Sequence, residues 1–128
     1  MINRPVQTVS AVLLAVPLIG AAANHAFQWI RPPMSDGSRG AEIWQLIREG
    51  GLMDWLAIGH LTLGILLLVS RTRFAAGVMQ LPVTIGIVVF NATMFPQGFA
   101  LALGMLAVNL GVVLQPSDLR RLLAASPG

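Results

Sequence analysis

The sequence predicts an all-α integral membrane protein: a four-helix bundle with a short interfacial helix in its first outer loop. Two observations carry this. Hydrophobic residues make up 55% of the 128-residue chain and charged residues only 10%, whereas a soluble domain carries roughly 25% charged residues to cover its surface. The apolar residues also fall into four long runs whose central stretches lack Lys, Arg, Asp and Glu. A bilayer helix needs about 20 such residues. One domain, 1–128, holds all four.

The first span is expected over about residues 9–30, stopping at Arg31-Pro32-Pro33. Arg4, the apolar run and Ala21-Ala22-Ala23 resemble a signal peptide; the segment is read here as a span. Ala11, Ala15, Ala22 and Ala26 lie near one helical face, which a neighbouring helix can approach closely. Residues 38–49 mix Ile43, Trp44, Leu46 and Ile47 with polar residues, the pattern of a helix lying at the interface. Ser38 or Asp36 is placed to cap it and Gly50-Gly51 to end it. Trp44 and Trp55 suit the headgroup level.

The second span is expected over 52–69, before Arg71 and Arg73; the third over 74–95, ending at Pro96; the fourth over 98–114, before Gln115-Pro116-Ser117-Asp118. Pro17 and Pro82 fall inside the first and third spans. Each is either an ordinary membrane-helix proline or a bend that opens a pocket.

All eight basic residues are Arg, and the formal net charge is +3. They sit in loops and ends, so they act as topology determinants and not as a nucleic-acid footprint. Arg4, Arg71, Arg73, Arg120 and Arg121 fall on one side, against Arg31, Arg39 and Arg48 on the other. Basic residues beside short loops favour the cytoplasm, so both termini are expected inside. Cysteine is absent. That excludes disulfides, thiolate metal sites, iron–sulfur ligation and a Cys nucleophile, and redox chemistry would need a bound cofactor or a partner chain.

Polar groups in hydrocarbon are costly, so their positions carry the functional signal. They are Asn24, His25 and Gln28 on the first span, His60 and Thr62 on the second, Gln80, Thr84 and Asn91 on the third, and Asn109 on the fourth. His25, His60 and Asn91 each stand six residues from an outer boundary marker, respectively Arg31, Asp54 and Gln97. At helical rise that is a depth of about 9 Å. If they face inward, they converge. The candidate ligand-binding set is therefore Asn24, His25, Gln28, His60 and Asn91. Three roles compete: hydrogen bonds that only fix packing, a pocket for a quinone, lipid headgroup or apolar substrate, and His25 with His60 as axial ligands of a haem. Asn109 reads as a helix–helix contact. No phosphate-binding glycine loop, intramembrane carboxylate or serine nucleophile motif is present, so whether the chain is an enzyme stays open.

The chain resembles the DoxX-like family of small four-span bacterial membrane proteins. The resemblance lies in Gly50-Gly51-Leu52, Ile58-Gly59-His60-Leu61-Thr62 and on through Leu68, the Arg71–Arg73 turn, Leu81-Pro82-Val83 and Ile87–Asn91. It continues in Phe95-Pro96, Asn109 and Arg120-Arg121-Leu122-Leu123, with Pro32-Pro33-Met34 after the first span. It implies a multi-pass protein of the bacterial inner membrane, associated with quinone-linked sulfur oxidation or membrane redox complexes. Such relatives often carry Glu in place of His60 and His in place of Asn91. The partners expected are the bilayer, other membrane chains or further copies, and a hydrophobic small molecule. The alternatives are a non-catalytic accessory subunit of a respiratory or photosynthetic complex, and a small haem-dependent membrane enzyme.

Overall fold

A computed structural model describes residues 4–31 and 36–125. Pro32-Pro33-Met34 lies outside the described residues. The described chain is all helical, with no strand: α1 (Arg4–Phe27), α2 (Arg39–Glu49), α3 (Leu52–Leu68), α4 (Arg73–Met94), a 3-10 turn (Pro96–Gly98), α5 (Phe99–Val113) and α6 (Pro116–Ala124). Three segments are long and apolar enough to cross a membrane: α1, α4 and the run Pro96–Val113. A fourth is counted when α2 and α3, which meet at an 84° bend, are taken as one broken span.

That bend has a local cause. Ser38 Oγ accepts the Ala41 N–H at 3.2 Å and starts α2, so of the two expected caps it is Ser38 that acts. Gly50 N–H then bonds to Leu46 O at 2.9 Å, and Gly51 turns the chain at φ +76°. A side chain at that φ would strain the backbone, which is why glycine stands there. The short helix expected over 38–49 is present as α2, set at 84° to α3.

Two expected boundaries need correction. The first span was expected over 9–30, yet α1 starts at Arg4 and ends at Phe27. Gln28 leaves the helix at φ +53°, and the apolar Trp29 and Ile30 only prolong the hydropathy signal beyond the helix. The tail, given no element in the sequence reading, folds as α6, with Pro116 in the first turn where its missing N–H costs nothing. The ends of α3, α4 and α5 lie within a residue or so of the limits expected for the other three spans.

The long helices pack in a ring: α1 against α3 and α5, and α4 against α5 and α3. Ala11, Leu14, Ala15 and Leu18 of α1 bury completely or nearly so, with Leu67, Ala76 and Val112. Small residues bring the backbones close. A Cβ on Gly64 would sit 2.7 Å from Ile19 Cγ1, and one on Gly77 2.7 Å from Val112 Cγ1. Inside the α4–α5 contact, Thr84 Oγ1 accepts from Asn109 Nδ2 at 2.9 Å and from Gln80 Nε2 at 3.4 Å. Asn109 is thus a helix–helix contact, as expected. The outward faces are apolar: Val6, Val9, Leu13 and Val16 form an exposed row on α1. Water would penalise such a surface, whereas lipid accepts it.

Candidate functional site

One end of the ring holds a groove of about 530 Å³ between the last turns of α1 and the first turns of α3. Its α1 wall is Ile19, Ala22, Ala23, His25, Ala26 and Phe27; its α3 wall is Asp54, Ala57, Ile58 and Leu61. Alanine has no atoms beyond Cβ, so Ala22, Ala23, Ala26 and Ala57 leave a trough where larger side chains would have met. The lining is almost wholly apolar.

Two polar side chains interrupt it. His25 Nε2 lies 2.7 Å from Asp54 Oδ1. Asp54 occupies the first turn of α3, where a carboxylate is favoured by the helix dipole, and His25 the last turn of α1, where a cationic ring would be. The His25 side chain is 26% exposed and that of Asp54 71%, so the pair stands at the mouth of the groove with the acid on its wetter side. An ionised carboxylate only accepts hydrogen bonds, so Nε2 carries the hydrogen and donates it. Nδ1 is left for another partner.

The other expected site residues go elsewhere. Asn24 spends its amide on the chain beyond α1, donating Nδ2–H to Ile30 O at 2.8 Å and accepting Ile30 N–H on Oδ1 at 2.7 Å. Gln28 donates its backbone N–H to Asn24 O at 2.7 Å and ends the helix. His60 does not line the groove; its Nε2 is buried with no hydrogen-bond partner among the described residues. Asn91 Nδ2 bonds back to Ile87 O at 2.8 Å, and its Oδ1 packs on Gly98 where any Cβ would collide. Among the described residues no hydrogen bond joins two of Asn24, His25, Gln28, His60 and Asn91 through their side chains. Only His25 lines the groove.

Asp54 is the residue that sequence reasoning missed as a participant. It had served only as the depth marker for His60, although an acid at the outer boundary is at the right level to meet a histidine near the end of α1. Among the described residues no group of three or more His, Asp or Glu side chains could hold a metal ion. Axial ligation of a haem through His25 Nε2 would displace the bond to Asp54.

Aromatic residues mark the same level. Phe27 and Trp29 stack with ring centroids 4.9 Å apart and planes inclined by 11°. Trp29 and Trp55 are largely exposed. Tryptophan favours the headgroup region. No protein-family model, curated protein or solved structure matches the chain.

Proposed function

We propose that the chain is a DoxX-like membrane subunit that binds a hydrophobic molecule with a hydrogen-bonding head, such as a quinol, in the α1–α3 groove. In this reading it is a four-span bundle in a bacterial inner membrane, both termini are cytoplasmic, and redox partners sit alongside. The observation that carries it is the conjunction of an apolar trough with one histidine–carboxylate pair at its mouth. An isoprenoid-like tail matches the trough, and a ring hydroxyl matches the free imidazole nitrogen.

The chemistry follows from the tautomer. With Nε2–H donated to Asp54, neutral His25 offers Nδ1 as an acceptor. A quinol O–H donates to Nδ1, and the Asp54 carboxylate fixes the ring that receives it.

The test is native mass spectrometry with an absorption spectrum on gently solubilised protein, followed by titration with a ubiquinol analogue. His25→Ala is expected to weaken binding about tenfold, the worth of one good hydrogen bond. His60→Ala and Asn91→Ala are expected to leave it near wild type, and circular dichroism monitors the fold of each variant. Wild-type affinity in His25→Ala sinks this reading.

A second reading has its own support. The exposed aliphatic row Val6, Val9, Leu13 and Val16 runs along one face of α1 and could dock a larger membrane complex. An accessory role predicts co-purification in a fixed assembly that survives His25→Ala unchanged.

A further inference from the structure

Hydrogen bonds at the end of the ring opposite the groove gather three parts of the chain. Arg73, buried at the α3–α4 turn, donates Nε–H to Leu67 O at 2.9 Å and Nη1–H to Thr8 Oγ1 at 2.9 Å. Gln7 Nε2 reaches Val112 O at 3.1 Å and Asp118 Oδ2 at 3.0 Å. These bonds tie the start of α1 to the α3–α4 turn and to the α5–α6 junction. Arg4, Arg71, Arg73, Arg120 and Arg121 thus share one end with a single described carboxylate, Asp118, which already accepts from Gln7. All of these arginines except Arg73 are exposed.

At this end α6 carries an apolar stripe with little to cover it. At about 100° per residue, Leu119, Leu122 and Leu123 fall within an arc of roughly 100°, while Arg121 points away and Arg120 flanks it. Leu122 is 56% and Leu123 79% exposed, and α6 touches the other helices only slightly. Only Leu114 and Gln115 separate α6 from α5. The nearest apolar medium is therefore the leaflet in which α5 ends.

We infer that α6 lies along the surface of that leaflet, its leucines in the acyl boundary, and that Arg120 and Arg121, with Arg4 and Arg71, bind anionic phospholipid headgroups. Charge complementarity selects the anionic lipid: exposed guanidiniums face outward, and the one carboxylate beside them is engaged. The geometry of an amphipathic helix with arginines beside its apolar stripe is that of interfacial helices in general. The inference rests on α1, α3, α4 and α5 crossing a bilayer, and it is independent of what the groove binds.

The experiment uses the full chain in nanodiscs of phosphatidylcholine, with or without phosphatidylglycerol. The chain has no native cysteine, so Leu123→Cys carries a single nitroxide whose collisions with oxygen and with a water-soluble nickel complex report its depth. The label is expected to be lipid-immersed with phosphatidylglycerol and markedly more water-accessible without it. Arg120→Gln with Arg121→Gln is expected to lower the bound-to-free ratio of α6 roughly 30-fold at low salt, about fivefold per arginine. A label on Leu13→Cys, at the middle of the exposed α1 row, must be lipid-immersed in every disc; if it is not, the membrane reading itself fails. With Leu13 immersed, a Leu123 label that stays in water in both lipids overturns the inference. So does one that is equally immersed in both and indifferent to the arginine changes.

Discussion

Gln28 holds the end of α1 at φ +53°, a left-handed conformation that costs a residue with a Cβ about 1–2 kcal/mol. Glycine adopts it freely but loses more chain entropy on folding, so the two effects partly offset. Gln28→Gly is therefore expected to stabilise the protein by about 0.5–1 kcal/mol, read as a higher unfolding midpoint in detergent. The same residue explains why the end of α1 was hard to read: Phe27, Trp29 and Ile30 continue the apolar run while the backbone has already turned. At the site, direction was not legible. Counting residues from the boundaries placed His25, His60 and Asn91 at one level, but helical rise says nothing of azimuth. His25 lines the groove with Asp54, a partner 29 positions away in sequence, whereas the buried His60 Nε2 does not share it.

α3, α4 and α5 were legible because their apolar runs are bounded by Arg, Pro or Gly close to the helix ends. The alanine stripe of α1 was legible too: Ala11, Ala15 and Ala22 are buried, although Ala26 is exposed along the groove. What the pattern hid was where glycine is obligatory. Gly77 and Gly86 look alike in sequence, both inside α4. A Cβ on Gly77 would press Val112 at 2.7 Å, while one on Gly86 meets nothing within 4 Å. Gly77→Val is expected to separate α4 from α5 and cost about 1–3 kcal/mol. Gly86→Ala is expected to be neutral or slightly stabilising, since alanine is the better helix former. Denaturant titration in mixed micelles compares the two directly, and equal losses at both sites would contradict the close α4–α5 approach. α6 escaped notice because a helix of nine residues is too short for a span signal, and its leucines sit among arginines.

For the molecule as a whole, charge sets orientation. The end bearing Arg4, Arg71, Arg73, Arg120 and Arg121 is expected in the cytoplasm. Glu42→Cys in α2 should then react with an impermeant maleimide on intact cells, and Ala124→Cys in α6 only after lysis. The reverse pattern would invert the topology. The ring order also sets long helices against short ones. With 24 and 22 residues, α1 and α4 are about 36 and 33 Å long and stand diagonally opposite. With 17 and 15, α3 and α5 reach only about 25 and 22 Å and occupy the other diagonal. The surplus of α1 is polar: Thr8 accepts from Arg73 at the α3–α4 turn, and Gln7 donates to Val112 O and Asp118 where α5 gives way to α6. The long first helix thus acts as a post whose foot braces the ends of its shorter neighbours.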